Sequence, residues 1–299
     1  MAERTPSICR DCFYLLFPEK TIQYRQLRGR HFGALVIQGI RRETMARIVA
    51  CYKWVVDEAD IRINPDRSVD LSKAKKKISD YDKCAIEAAV QTATAIGGKA
   101  VGLTFGTADA RQSLKDALSR GLEEVYYINA EEAAQADGAA TANALAAAIK
   151  KMEEVNLVIC AEGASDTYQR QTAPRIGAVL DWPVATSVSK LEVTGNTLTA
   201  VRKLDDCLQT VKVELPAVVS VLPEINNPPI PTLKAVLAAG KKPVKEFSAG
   251  ELNADLVPKT RVADLQGYVM SRKNLIFKDG EAVDQVKELV AALKKEGVI

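Results

Sequence analysis

The sequence predicts an α/β fold built on a doubly wound, mostly parallel sheet with an added antiparallel hairpin region. Three observations carry this. From Met45 onward, short β-branched runs alternate with segments of helical period, which is the pattern of strands covered by helices on both faces. The runs themselves, such as Val155-Asn-Leu-Val-Ile-Cys160, are nearly continuously apolar, as strands buried on two sides are. Between residues 184 and 222 the pattern changes to alternation around Gly195-Asn196, a hairpin signal.

Taken in order, Arg47–Tyr52 is the first strand. Residues 57–77 hold a short excursion, with Ile61-Arg-Ile63 and Val69-Asp-Leu71 flanking Asn64-Pro65-Asp66, and then a lysine run. Ser79-Asp-Tyr-Asp82 reads as a capping box for a helix carrying Ala85, Ile86, Ala89, Val90 and Ala93, ended by Gly97-Gly98. A strand over Ala100–Phe105, a turn at Gly106-Thr107, a helix over Ala110–Ser119 and a strand over Val125–Ile128 follow. The alanine-rich helix Ala139–Lys151 then leads to the Val155–Cys160 strand. Further on, Val184–Ser189, Leu191–Val193, Thr197–Val201, Leu208–Val213 and Ala217–Leu222 are strands. Thr232–Ala239 is a short helix behind the proline-rich loop Asn226–Pro231, and 241–263 reads as an irregular connector. The last element is an amphipathic helix, Ala282–Lys295, with Val283, Val286, Leu289, Val290 and Leu293 on one face.

Composition narrows the function classes. With a net charge of +3 and acids and bases interspersed, the chain shows no basic stripe suited to nucleic acid. No apolar run approaches the roughly 20 residues that span a bilayer, so the chain reads as soluble. Six cysteines lie scattered at 9, 12, 51, 84, 160 and 207, as free thiols do in a reducing compartment, and this places the protein in the cytoplasm. Cys9 and Cys12 alone have CxxC spacing, a weak signal without a second pair. The sole histidine, His31, lies in the same segment, which excludes a His-based triad or multi-His zinc site from the main body. Residues 1–44 lack a clean period. Their arginines suit a transit peptide, whereas Glu3, Asp11 and Glu19 do not, and a secretory core is missing. We read 1–44 as a disordered or non-native extension, with the chain's first strand opening after Met45.

The chemistry concentrates in Ala161-Glu-Gly-Ala-Ser-Asp-Thr-Tyr-Gln-Arg-Gln-Thr-Ala-Pro-Arg-Ile-Gly177. It follows a buried strand and runs into a helix that ends at Asp181-Trp-Pro183. Arg170, Gln171 and Thr172 fall near the first helical turn, where unpaired N–H groups and the positive dipole end suit a phosphate. The same residues also fit ordinary capping by Ser165, Asp166 or Thr167 followed by solvated polar side chains. Ligands of doubly wound sheets bind at the carboxyl ends of the strands. The loops that converge there begin at Cys51-Tyr-Lys53, Ser79–Asp82, Phe105-Gly-Thr107 and Glu162–Thr172. Neither a GxGxxG after the first strand nor a GxxxxGK[ST] is present, and no nucleophile–base set stands out. That weighs against an adenylate-handling enzyme, the alternative reading on this sheet.

Two stretches make the chain specific: Ala200-Val-Arg-Lys-Leu-Asp-Asp206 and Val211-Lys-Val-Glu-Leu-Pro-Ala-Val-Val-Ser-Val221, continued by Glu224-Ile-Asn226 and Pro231. Taken alone, Arg202 with Asp205 or Asp206 is an ordinary surface pair. Together with Cys51-Tyr-Lys53, Ile61-Arg-Ile63, Asp82–Ala89, Ala117–Gly121, Ser189-Lys-Leu191, Asp166 with Gln171-Thr172, and Lys241-Lys-Pro243, these stretches resemble the β subunit of electron transfer flavoproteins over about residues 45–299. Glu162-Gly-Ala-Ser-Asp-Thr-Tyr168 and Ser79-Asp80 replace the more usual runs, as in the Fix-type (FixA-like) β subunits of anaerobic or bifurcating systems.

The resemblance implies an adenine-nucleotide α-hydrolase-like (Rossmann-like) domain over 45–243. It also implies a C-terminal arm over 244–299 whose terminal helix packs on a partner. It implies an electron carrier rather than an enzyme: a heterodimer in which an α subunit shares the catalytic FAD and this subunit holds AMP or a second FAD. Electrons would pass between an acyl-CoA or other dehydrogenase and a quinone reductase or other acceptor. By position, the nucleotide contacts would be Cys51, Lys53, Ser79, Asp82, Phe105, Gly106, Asp166, Arg170, Gln171 and Thr172. The loop Ile230–Lys234 would dock the dehydrogenase, with Leu233 as its anchor.

Overall fold

In a computed structural model describing residues 46–268 and 272–299, the apolar runs become the strands of one twisted sheet. The readings made for residues 1–44, including Cys9, Cys12 and His31, lie outside the described residues. The order begins β1 (Arg47–Cys51), β2 (Trp54–Val56), β3 (Arg62–Ile63), β4 (Val69–Asp70), β5 (Lys76–Ile78), α1 (Asp80–Ile96), β6 (Lys99–Gly106). It continues α2 (Ser113–Ser119), β7 (Glu124–Asn129), α3 (Gly138–Lys151), β8 (Val155–Ala161), α4 (Thr172–Leu180), β9 (Val184–Thr194), β10 (Thr197–Lys203), β11 (Leu208–Glu214), β12 (Ala217–Val221). It ends α5 (Leu233–Ala239), β13 (Val244–Ser248), α6 (Ala249–Leu252) and α7 (Ala282–Lys295).

The main sheet has nine strands in the order β11-β10-β9-β12-β8-β1-β6-β7-β13. From β9 to β13 every neighbouring pair is parallel, while β9-β10-β11 form an antiparallel meander. Successive residues of β1 serve opposite faces. Ile48 and Ala50 join Ala85, Ile86 and Ala89 of α1, whereas Val49 and Cys51 join Ala144 and Leu145 of α3 and Ile176 of α4. The sheet is therefore doubly wound, as expected, and the alanines of α3 let that helix lie close against it.

Three elements depart from the sequence reading. β9 is one continuous strand where two parting at Lys190 were expected: Lys190 pairs with Val201 across the meander, and the strand's irregularity lies earlier, at Ser187 with a positive φ of 57°. The lysine run ends in β5, which pairs antiparallel with β2, two strands of three residues each that are too short to show a period. Over 241–263 the connector contains β13, added parallel to β7 at the sheet's edge, with Leu252 and Leu256 buried behind it. An edge strand with mostly exposed faces leaves no burial pattern in its sequence. Arg202 likewise does not pair with Asp205 or Asp206: it donates to the Thr186 carbonyl at 2.8 Å and to Gln209 at 2.8 Å, crossing the meander instead.

Beyond Leu256 the chain is pinned to the body at two described points. The Lys259 and Thr260 backbone N–H groups donate to Asp137 Oδ2 at 2.7 and 2.9 Å, and Gly267 N–H donates to the Arg67 carbonyl at 2.7 Å. α7 buries none of its residues, and Val283, Val286, Leu289 and Val290 are exposed. No helix among the described residues is long and apolar enough to cross a membrane.

Candidate functional site

The sheet order reverses at β1. The chain adds β6 and β7 on one side and then crosses to place β8 on the other. At such a switch point the loops leaving neighbouring strands separate and open a crevice. Here it is an open cleft with an accessible volume of about 100 Å³. Cys51, Tyr52 and Lys53 at the end of β1, Phe105 at the end of β6, and Cys160, Ala161, Gly163 and Ala164 after β8 line it. Asp82 of α1, Thr141 and Leu145 of α3 and Thr172 of α4 complete the walls. Five of the ten expected nucleotide contacts thus share one cleft: Cys51, Lys53, Asp82, Phe105 and Thr172. Ser79, Gly106, Asp166, Arg170 and Gln171 stand beside it on the same loops.

The start of α1 differs from the expected capping box. Asp80 begins the helix, and the Ser79 side chain makes no capping bond. Fully buried Ser79 instead accepts at Oγ from the Ser165 N–H at 3.2 Å, tying α1 to the loop after β8. Asp82 Oδ2 accepts from the Lys53 N–H at 2.8 Å, tying α1 to the loop after β1. Both side chains turn from their own helix to neighbouring strand ends because those loops carry N–H groups with no ladder to join. They hold the cleft's two main loops in register.

Burial pushes the Asp82 carboxyl up to about 8, against the Lys53 N–H and ammonium, which favour its charged form, and with the nearby Asp166 charge adding to the rise. A carboxyl raised in the folded state stabilises the fold while it is protonated, and that contribution is lost as the pH climbs from the ordinary aspartate range to about 8. Asp82→Asn keeps an acceptor for the Lys53 N–H without the charge. The variant is therefore expected to gain stability relative to the native chain between pH 5 and pH 9, on the order of a few kcal/mol. Thermal midpoints at the two pH values check this, and an equal difference at both would contradict it.

The polar loop after β8 is folded on itself. Lys53 Nζ pairs with Asp166 Oδ2 at 2.5 Å. Arg170 Nη2 lies 3.4 Å from Glu162 Oε2, and Tyr168 Oη donates to Glu162 Oε1 at 2.5 Å. Tyr168 packs over Gly163 and sits 5.2 Å from Tyr81, ring centre to ring centre. α4 begins at Thr172 with Gln171 as its N-cap and no capping side chain, so Ser165, Asp166 and Thr167 do not cap it. Gln171 Oε1 accepts from Arg175 Nε at 3.0 Å. The Ser165 hydroxyl is buried beside the cleft with no protein partner. An uncapped helix start, an unpartnered hydroxyl and the apolar flanks of Phe105 and Leu145 together fit a nucleotide.

Two contributors escaped the sequence reading. The loop after β7 reaches the cleft through Ala133 and Ala136 and is missing from the expected converging set, although any loop leaving a parallel strand must reach that edge. Glu162 opens the polar loop in the sequence, but its pairing with Tyr168 and Arg170 rests on a turn that brings residues 168 and 170 back onto it. Leu233 starts α5, whose cap is Thr232, and is largely exposed beside exposed Ile230 and Leu237. A family model, that of the electron transfer flavoprotein domain, matches residues 68–252, more than half of the chain.

Proposed function

The chain belongs to the electron transfer flavoprotein domain family, whose members are flavin-dependent electron carriers, and from that premise we propose that it is the β subunit of a heterodimeric carrier of the Fix type, FixA-like in its nucleotide loops. The observation that carries the reading is the switch-point cleft, where Cys51, Lys53, Asp82, Phe105 and Thr172 meet. In this reading the cleft holds AMP or a second FAD. Cys51, Phe105 and Leu145 flank the adenine, and the start of α4, with Gln171 and Thr172, receives the phosphate. A bound flavin supplies the electron chemistry, and the catalytic FAD is shared with an α subunit. The residues of this chain bind, orient and exclude water.

Two exposed apolar surfaces support the partners proposed. α7 offers Val283, Val286, Leu289 and Val290 to the α subunit from an arm that leaves the body after Leu256, later than residue 244, because β13 belongs to the sheet and Leu252 and Leu256 to its core. Leu233, with Ile230 and Leu237 beside it, is the anchor for a dehydrogenase, and a quinone reductase or other acceptor takes the electrons onward. A few such anchors can carry most of an interface's binding energy. The buried free thiols Cys51, Cys84 and Cys160 suit a reducing, cytoplasmic setting.

The phosphate position has a direct test. Arg170 sits two residues before Thr172 with about half its side chain exposed, so its removal should leave the fold intact. A charge-assisted bond to phosphate is worth roughly 1.5–3 kcal/mol. Arg170→Ala is accordingly expected to weaken AMP and FAD binding about tenfold to a hundredfold in calorimetric titration. Unchanged affinity for both ligands in Arg170→Ala and in Thr172→Val would place the phosphate elsewhere.

A further inference from the structure

The cations around the cleft do not stand alone. Lys53 is paired with Asp166 at 2.5 Å and Arg170 with Glu162 at 3.4 Å. The third cation, Arg175, turns to Gln171 and lies next to Gly138 at the start of α3, where Asp137 adds a carboxylate as the N-cap. Two of the cations therefore each face a carboxylate, while the Asp137 carboxylate is taken up by backbone N–H groups of α3 and of Lys259 and Thr260. Sites that grip triphosphates are built the other way, with cations and backbone N–H groups in excess over carboxylates.

The Glu162 contact is a built one. Its side chain is 9% exposed and also accepts the Tyr168 hydroxyl at 2.5 Å. Tyr168 and Arg170 both have left-handed backbones, at φ 45° and 59°, a conformation that side chains other than glycine rarely adopt. The loop is thus shaped so that one carboxylate gathers both the tyrosine and the arginine. An arginine placed only to meet a phosphate would not need a mostly buried carboxylate at its side.

We propose that Glu162 and Asp166 set the charge selectivity of the cleft: by neutralising Arg170 and Lys53 they let it accept the terminal monophosphate of AMP, or the doubly charged bridging pyrophosphate of a dinucleotide, and reject the more highly charged nucleoside di- and triphosphates. The proposal rests on the reading that an adenine nucleotide occupies this cleft. Nucleoside di- and triphosphates bring about one and two negative charges more than AMP or a dinucleotide, and the site's cations have already spent theirs on their own partners.

The test is calorimetric titration of the full chain, stripped of bound nucleotide, with AMP, ADP and ATP in the absence of divalent cations. The native chain is expected to bind AMP at least as tightly as ATP. Glu162→Gln, which keeps an acceptor for the Tyr168 hydroxyl, and Asp166→Asn are each expected to raise ATP affinity relative to AMP by about tenfold, one unit charge being worth roughly that much at this range. If Glu162→Gln does not fold, Asp166→Asn, whose carboxylate is partly exposed, carries the test. Tighter binding of ATP than AMP by the native chain, or a ratio unmoved by the substitutions, would overturn the selectivity while leaving the nucleotide reading in place. Binding of none of the three would overturn both.

Discussion

A chain ended at Tyr268 is expected to fold with an unchanged thermal midpoint and to lose pairing with an α subunit. An isolated helix of this length is marginal in water and depends on packing, yet α7, from Ala282 to Lys295, buries no residue. Its stripe of Val283, Val286, Leu289 and Val290 is exposed, and burial of such side chains is worth up to about 1.5–3 kcal/mol each. Cutting after Tyr268 keeps the anchors of Lys259 and Thr260 on Asp137 and of Gly267 on Arg67, and among the described residues beyond it none is buried. Analytical ultracentrifugation of the cut chain with its partner, beside a thermal melt of the cut chain alone, reads both halves. Retained pairing would move the interface elsewhere, and a large drop in midpoint would make α7 part of the body.

Gly177→Val should be the most damaging single substitution near the site. Gly177 is a buried helical residue of α4, and a Cβ there would lie 2.1 Å from Val184 Cγ2 and 3.1 Å from the Trp182 carbonyl oxygen. The carbonyl belongs to the turn that joins α4 to β9 and cannot yield as a side-chain tip would. Overpacking of this kind costs about 1–3 kcal/mol or more. The clash pushes α4 off the sheet and moves Thr172, at its start, away from the cleft. The expected outcome is a clear fall in thermal midpoint together with loss of AMP binding. Native affinity in a destabilised Gly177→Val protein would show that the position of α4 does not control the site.

The parts legible in the sequence are those in which burial writes a period. β1 and β8 are hidden on both faces and read as unbroken apolar runs, and α7 was legible from Ala282 to Lys295 because its stripe is so regular. The doubly wound sheet then fixed where the cleft must open, which is why Cys51, Phe105 and Thr172 could be placed at one edge without coordinates. Short or marginal elements were not legible: β13 is an edge strand with little burial, and β2 and β5 support each other only across a two-stranded ribbon. Side-chain direction was the other loss. Ser79 and Asp82 have the residue types and spacing of a capping box, but the loops after β1 and β8 present competing N–H groups, and a local motif cannot register a partner 86 residues away such as Ser165. The pairing of Glu162 was invisible for the same reason, since only the left-handed turns at Tyr168 and Arg170 bring their side chains back to its carboxylate.

The central claim is that this chain is half of a flavin-holding pair and carries an adenine nucleotide in the switch-point cleft. Its most direct measurement is the absorbance spectrum and extracted nucleotide content of the full chain, purified alone and after co-expression with an α subunit. The expected result is a 1:1 complex with a full flavin spectrum and AMP or a second FAD on extraction, against a lone chain without stoichiometric flavin. A lone monomer carrying tight, stoichiometric FAD, or a paired complex free of both flavin and adenine nucleotide, would contradict it.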